Sequence, residues 1–323
     1  MPKEWDDIPF IASVYRANRE LKKGFETQSG TLVKKIILQI IFHKRDEPKF
    51  IYELPLSPSL KEMPDEIEEM LKVQQSVAFE KSIHLKRSLS YLKGILKTGL
   101  FLSSKFTVNE LSLTTYGIGN WPTDREQSIA RLKCNQKVLD SLISYSLKTE
   151  NRWVADFNGS LNPKELVDFV NKANLVNCLW LEQPLQYGEM TPSLANLVST
   201  PIYADEDMEY LSPEGFFASG FSGMVIKPIR HNYCNLVDWM GLAQRKSIPC
   251  IIGAPVCDAI SMAHCRFFNQ YATMRVKGIG LDSFFCGPHE VDELFPCDGS
   301  TISGKLINYV EKNYVPIGSY KIL

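Results

Sequence analysis

The first hundred residues change from a strand pattern to a helical one. Two stretches alternate apolar and polar positions in strand fashion, PFIASVYRA (9–17) and GTLVKKIILQIIFHKRDEPKFIYELPL (30–56), with QSG and KRDEP as turn signals. From residue 61 to 98 the segments DEIEEMLKVQQ and SIHLKRSLSYLKGIL place apolar residues three and four apart, which is typical of amphipathic helices. The pattern predicts a small antiparallel sheet followed by helices, an α+β domain of residues 1–98.

The next two hundred residues (99–299) alternate between apolar runs and helical segments. Helical signals include NPKELVDFVNKAN, where Asn162 and Pro163 suit the N-cap and the first helical position. The apolar runs lack the polar alternation of a half-exposed strand, so we expect parallel strands buried on both faces. The runs are RWVADFN, NCLWLEQP, TPIYADED, GMVIKPI, IPCIIGAP and KGIGLDSFF.

Polar residues close four of these runs at nearly constant spacing. They are separated by 26, 23 and 22 residues, about the length of one strand, one helix and two short loops: Asp156, Glu182, Asp205 and Lys227. The same spacing leads forward to Gly253 and the GIGLDS segment, and backward to Lys133 and Asn109. Eight strand-ending positions at this spacing predict a (β/α)8-type barrel with its active site at the carboxyl ends of the strands.

Three of the strand-ending residues carry carboxylates, which this architecture would bring together at one barrel mouth. Ionised carboxylates a few ångström apart repel one another unless a cation joins them. Oxygen ligands from rigid strands suit Mg²⁺, with Mn²⁺ as a possible substitute. The alternative is that each acid is a helix N-cap or a surface ion-pair partner, but three in register favour a metal held by Asp156, Glu182 and Asp205.

Two lysines are the candidates for proton transfer. Lys227 lies in an apolar strand, where an ammonium group is costly unless it faces a polar site; the alternative is a side chain that extends to the barrel rim. Lys133 lies in TDREQSIARLKCNQKVLDSLI, which reads either as one long helix or as a strand IARLKC followed by a helix. The spacing favours the strand, in which Arg131 and Lys133 both point into the barrel and face Lys227.

Composition limits the partners. The chain of 323 residues has 36 basic and 37 acidic residues and no basic block, so we expect a small-molecule ligand and no nucleic acid. Eight cysteines without a CxxC pair indicate free thiols in a reducing compartment. The start of the chain has no export signal and no apolar run approaches a membrane span, so we expect a cytoplasmic protein with no membrane partner, either a monomer or a homo-oligomer.

Five motifs in this order and spacing, ARLKC, VADFN, LWLEQP, YADED and VIKP, resemble the enolase superfamily, muconate-lactonising subgroup. Within it the likeness is to the o-succinylbenzoate synthases of menaquinone biosynthesis. It covers essentially the whole chain, with residues 1–98 as the family's capping domain and residues 300–323 packing back on it.

The resemblance implies a carbon–oxygen lyase (dehydratase) whose Mg²⁺ is bound by the three carboxylates. Lys133 would remove a proton next to the carboxylate of the substrate, water would be eliminated, and Lys227 would stabilise the enediolate.

The substrate side departs from the family pattern. Arg131 stands where the subgroup usually has Lys, and it is assigned with Asn158 to substrate binding. The segment GAPVCD lacks the serines common in the synthases, so contacts to a second carboxylate would come from backbone N–H groups near Gly253 and Ala254. Asp207 replaces a common Ser. A capping-domain loop around ANRELKKGFETQSG would shape the pocket.

Two other functions fit the same residues. An N-acyl amino acid racemase or dipeptide epimerase needs the same metal, with Lys133 and Lys227 on opposite faces of the α-carbon. A barrel that has lost catalysis and serves as a binding or structural protein is the third possibility.

Overall fold

The structure is a computed structural model that describes residues 10–27, 30–44, 47–54, 64–74, 78–98, 110–124, 127–253, 259–269, 271–277 and 304–322. Its first layer is an antiparallel sheet of four strands: β1 (Phe10–Thr27), β2 (Gly30–Lys44), β3 (Glu47–Leu54) and β12 (Val315–Ile322). They lie in the order β12-β1-β2-β3. The end of the chain thus pairs with its beginning, Phe10 opposite Ile322.

Three helices over this sheet lie where the sequence predicts helical segments: α1 (Pro64–Gln74), α2 (Ala78–Lys81) and α3 (Ile83–Thr98). A further helix, α10 (Gly304–Asn313), lies near the end of the chain. Phe42 of β2 and Phe79 of α2 are fully buried against each other, with ring centroids 6.5 Å apart. The expected loop at residues 17–30 is wrong in one respect. Most of that segment continues β1, which pairs with β2 as far as Thr27 opposite Gly30.

Eight parallel strands form the second sheet, and their spatial order follows the chain. They are β4 (Glu110–Tyr116), β5 (Ile129–Lys133), β6 (Trp153–Asp156), β7 (Cys178–Glu182), β8 (Ile202–Ala204), β9 (Gly223–Ile226), β10 (Cys250–Ile252) and β11 (Arg275–Lys277). The last strand pairs with the first, Arg275 opposite Glu110. At the remaining seam the backbone N–H of Met274 donates to the Cys250 carbonyl at 3.0 Å. The predicted (β/α)8-type barrel with an α+β capping domain is confirmed.

The outer helices are α4 (Leu139–Lys148), α5 (Pro163–Lys172), α6 (Pro192–Ala195), α7 (Pro213–Ser219), α8 (Tyr233–Lys246) and α9 (Ala259–Asn269). The predicted start of α5 is confirmed: Asn162 accepts from the Glu165 N–H, and the Glu165 side chain accepts from the Asn162 N–H. Three-residue to four-residue 3₁₀ turns follow β5, β8 and β9, at Gln136–Val138, Glu206–Glu209 and Pro228–Arg230.

The first barrel unit does not follow the predicted spacing. Strand β4 begins at Glu110 and ends at Tyr116, so its carboxyl end lies 17 residues before Lys133. The described part of the connection contains turns and no helix. Asn109 lies outside the described residues, and it precedes the strand that it was expected to close. The GIGLDS segment, which was expected to close the last strand, also lies outside the described residues.

An apolar layer closes the barrel beneath the mouth. One residue from each of seven consecutive strands contributes: Leu113, Ile129, Val154, Trp180, Tyr203, Val225 and Ile251. The rings of Trp180 and Tyr203 stack with centroids 5.0 Å apart. Side chains on a strand return to the same face every second residue, so the residue two positions further on lies one layer higher in the interior. In six of these strands that residue is Arg131, Asp156, Glu182, Asp205, Lys227 or Gly253.

The capping domain reaches the barrel near this mouth. The hydroxyl of Tyr91 in α3 donates to the carbonyl of Pro228, one residue after Lys227. The carboxylate of Glu53 in β3 accepts from the backbone N–H of Ser261 at 3.2 Å, in the first turn of α9. No helix in the described part of the chain is both long and apolar enough to cross a bilayer.

Candidate active site

Two of the three predicted metal ligands lie opposite each other at the ends of neighbouring strands. Asp156 ends β6, Glu182 ends β7, the two are paired in the strand register, and both are fully buried or nearly so. Asp205 follows β8 directly and is also buried. One guanidinium nitrogen of Arg131, Nη2, donates to Asp156 Oδ2 at 2.6 Å and to Glu182 Oε1. The acids of β6 and β7 are therefore joined through a single cationic group.

The acids also interact through their charges. Burial, together with the charges of Asp156 and Asp205, raises the pKa of Glu182 to about 8 against the opposing effect of Arg131. Burial would raise the pKa of Asp156 as well, but the charges of Lys133 and Arg131 outweigh it and lower that pKa below its ordinary value. Lys227 lowers the pKa of Asp205 in the same way. All three carboxylates thus belong to one electrostatic cluster.

The two lysines lie at opposite ends of this row of acids. Lys133 is the last residue of β5, so the strand interpretation of its segment is correct. Its Nζ donates to Asp156 Oδ2 and to Asn158 Oδ1, the latter at 3.1 Å. Lys227 follows β9, donates to Asp205 Oδ2, and lies 3.7 Å from Glu206 Oε1.

The structure does not show an assembled metal site. Within the described residues no three acid, histidine or cysteine side chains are arranged to hold an ion. The carboxylate oxygens instead face Arg131, Lys133 and Lys227. The donor set nevertheless fits Mg²⁺, because all its atoms are oxygens and Asp205 Oδ1 is buried with no hydrogen-bond partner in the described part of the chain. Metal binding by the three acids stays a prediction.

Gln183 is a site residue that the sequence pattern did not reveal. It follows Glu182, is buried, and adopts a left-handed backbone with φ of 38°. Its side-chain oxygen accepts from the N–H groups of Asp205 at 3.0 Å and Asp207 at 3.2 Å, and its Nε2 donates to the Leu185 carbonyl at 2.9 Å. Gln183 therefore fixes the loop that carries Asp205. The only signal for it was its place directly after a strand-ending acid.

Glu206 is the second residue that was missed. It lies next to Asp205 in the 3₁₀ turn, and its Oε1 accepts from Asn158 Nδ2 at 3.2 Å. Asn158, which we expected to bind substrate, has φ of 47° and contacts protein side chains on two sides, Lys133 and Glu206. Non-glycine residues with positive φ are uncommon, and two of them follow strand-ending acids here.

The expectation that backbone N–H groups near Gly253 bind a substrate carboxylate is wrong for Gly253 itself. The Gly253 N–H donates to the Ile226 carbonyl at 2.9 Å, so it is already used in the sheet and cannot bind a carboxylate. The glycine serves packing instead, because a Cβ there would lie 2.8 Å from Val225 Cγ1 and 3.6 Å from Lys227 Cγ. Ala254 lies outside the described residues.

Comparison with known proteins gives structural neighbours only. No family model and no curated protein matches the sequence. Among solved structures, an enolase-superfamily member from Roseovarius nubinhibens ISM is 13% identical with a TM-score of 0.68, over 97% of this chain and 99% of that one.

Two further structural neighbours have named activities. A dipeptide epimerase from Cytophaga hutchinsonii, complexed with Mg and the dipeptide D-Ala-L-Val, is 13% identical with a TM-score of 0.64, over 87% of this chain and 89% of that one. A muconate lactonizing enzyme from Pseudomonas fluorescens is 14% identical with a TM-score of 0.62, over 84% and 88%. The chain therefore has the fold of the enolase-superfamily barrels.

Proposed function

We propose that this protein is a Mg²⁺-dependent enzyme of the enolase superfamily that removes a proton next to a carboxylate and then eliminates water, as an o-succinylbenzoate synthase does. The observation that carries the proposal is the row of buried acids Asp156, Glu182 and Asp205 with a lysine at each end. Fold and donor chemistry support it together, since several of the neighbouring structures are of enolase-superfamily proteins and two hold Mg.

Each residue has a defined task in this proposal. The three acids would hold the ion, which when bound would neutralise the substrate carboxylate and spread the negative charge left by proton removal. Lys133 accepts the proton from the α-carbon and then donates it to the departing hydroxide, which leaves as water. Lys227, at the other end of the row, provides a positive charge beside the developing anion. Arg131 balances the charges of Asp156 and Glu182, which is why we now assign it to the acids rather than to the substrate.

A second candidate is racemisation or epimerisation of an N-acyl amino acid or a dipeptide. It requires one lysine on each face of the α-carbon, and Lys133 and Lys227 lie on strand ends separated by the three acid-bearing strands β6 to β8. A dipeptide epimerase among the structural neighbours supports the same reading.

The test compares both reactions on one preparation. Purified protein with Mg²⁺ receives the cyclohexadiene precursor of o-succinylbenzoate, and aromatisation is followed by ultraviolet absorbance. N-acyl amino acids and dipeptides are incubated in D₂O, and α-proton exchange is followed by NMR. We expect aromatisation that is lost in Lys133→Ala and kept in Lys148→Ala, which removes an exposed lysine of α4.

Each outcome separates the candidates. Exchange on amino acid derivatives without aromatisation supports the epimerase. Neither reaction, with Mg²⁺ present, supports the non-catalytic barrel and contradicts both enzymatic proposals. The ligand we expect in either enzymatic case is a small-molecule carboxylate, and a cytoplasmic location stays a prediction.

A further inference from the structure

A chain of polar contacts connects the two lysines across the mouth. Lys133 Nζ donates to Asn158 Oδ1 at 3.1 Å, and Asn158 Nδ2 donates to Glu206 Oε1 at 3.2 Å. The same Glu206 oxygen lies 3.7 Å from Lys227 Nζ. Three side chains from the ends of β5, β6 and β9 and one from the turn after β8 therefore form one continuous path.

Lys227 has two acidic neighbours of different kinds. It donates to Asp205 Oδ2, an oxygen of a predicted metal ligand, and it lies beside Glu206, which is not one of the three ligands. A divalent ion bound by Asp205 would repel the ammonium group from that carboxylate. Lys227 is nearly fully buried, so it needs another counter-ion close by, and among the described residues Glu206 is the acid besides Asp205 that lies within 4 Å of its Nζ.

We propose that Glu206 is a positioning residue that becomes the counter-ion of Lys227 when Asp205 binds the divalent ion, and that Asn158 links Glu206 to Lys133 so that both lysines keep a fixed separation. This inference rests on the proposed function. It assigns Glu206, and it changes the role of Asn158 from substrate contact to positioning.

The test is a double-mutant cycle read by Mg²⁺ binding without substrate. Isothermal titration calorimetry gives the Mg²⁺ dissociation constant of the wild type, Glu206→Gln, Lys227→Gln and the double variant. We expect Glu206→Gln to weaken Mg²⁺ binding about tenfold when Lys227 is present and less than about threefold when it is absent. Glu209→Gln is the matched control, because Glu209 lies in the same turn and pairs with Arg230 at 3.1 Å; its Mg²⁺ affinity should stay within about twofold of wild type.

The outcomes are distinguishable. Equal weakening with and without Lys227 would mean that Glu206 acts only through its charge on the ion, and the inference would be wrong. Normal Mg²⁺ binding by Glu206→Gln also overturns it while leaving the proposed function intact. A wild type that binds no Mg²⁺ contradicts both. If Glu206→Gln loses its cooperative thermal unfolding, Glu206→Asp replaces it, since it keeps the charge but withdraws it from Lys227 and should give a weakening that again depends on Lys227.

Asn158 is tested by kinetics. Asn158→Gly removes the side chain and suits the positive φ of 47°. On whichever substrate is turned over, we expect kcat to fall about tenfold with KM within about threefold. A rise in KM with kcat unchanged would instead identify Asn158 as a substrate contact and refute its positioning role.

Discussion

Replacing Arg131 by methionine removes the cation that joins two buried acids. The Arg131 side chain is 12% exposed, and its Nη2 donates to both Asp156 and Glu182, whose side chains are 0% and 2% exposed. Methionine fills a similar volume without a charge. The variant therefore tests whether the negative charge of this cluster must be balanced by a cation, and whether a divalent ion can supply it.

The expected loss follows from what remains after the substitution. Removal of one partner from a buried ion pair costs about 3 to 5 kcal/mol of unfolding free energy. Two features place Arg131→Met at the lower end of this range. Lys133 still contacts Asp156, and Glu182, with a pKa of about 8, can bind a proton at pH 7 instead of remaining charged. We expect a loss of about 3 kcal/mol in the absence of divalent ions.

The assay is urea unfolding followed by tryptophan fluorescence, with and without Mg²⁺. An ion at roughly 100 times its dissociation constant stabilises a folded protein by about 2.7 kcal/mol. We expect Arg131→Met to gain about 1 to 2 kcal/mol more from Mg²⁺ than the wild type, because Arg131 no longer competes for the same oxygens. Arg152→Met, at an exposed position, is the control. A loss below about 1 kcal/mol, or an equal Mg²⁺ effect in both proteins, would refute the reasoning.

Three further predictions concern stability. Gly223→Ala should cost about 1 to 3 kcal/mol in urea unfolding, because its Cβ would lie 2.4 Å from the Tyr203 ring, whereas Gly117→Ala, with nothing within 4 Å, should change little; equal effects would contradict this. Gln183→Leu should cost about 2 to 4 kcal/mol in the same assay, since two buried N–H groups lose their acceptor; a loss below about 1 kcal/mol would argue against its role. Burial lowers the pKa of His264 to about 4, so below about pH 6.5 the unfolded chain binds more protons than the folded chain, and the free energy of unfolding decreases as the pH is lowered. Between about pH 7 and pH 5, His264→Gln should therefore lose about 1 to 2 kcal/mol less unfolding free energy than the wild type. Parallel curves of unfolding free energy against pH for the two proteins would exclude this.

The barrel was predictable because its signal is repeated. Unalternating apolar strands, each closed by a polar residue at one βα-unit spacing, indicate both the fold and the level at which Asp156, Glu182, Asp205 and Lys227 lie. Lys133 could be placed on a strand only because the spacing between strand-ending residues favoured a strand over the helix that the local periodicity also allowed. The spacing gave the wrong position for the first strand, because the short connection after Tyr116 has no described helix and is shorter than a full βα unit.

The contacts within the site could not be predicted from the pattern. Gln183 and Glu206 act through side-chain hydrogen bonds to neighbouring strands, and such partners depend on the three-dimensional arrangement rather than on the local period. The use of the Gly253 N–H in the sheet likewise depends on strand register, which a single sequence does not give. Arg131 was assigned to the substrate from its place in the family pattern, because the sequence did not show that Asp156 and Glu182 would be its neighbours.

The pairing of β12 with β1 has a consequence for how the protein is made. Residues 10–16 stay without one hydrogen-bonded neighbour until residues 315–322 have been synthesised, so about three hundred residues must leave the ribosome before the sheet above the barrel is complete. The exposed edge of β1 is a site for mispairing during this interval. Removal of the last strand would therefore affect the capping sheet first, although the deleted residues lie far along the chain from it.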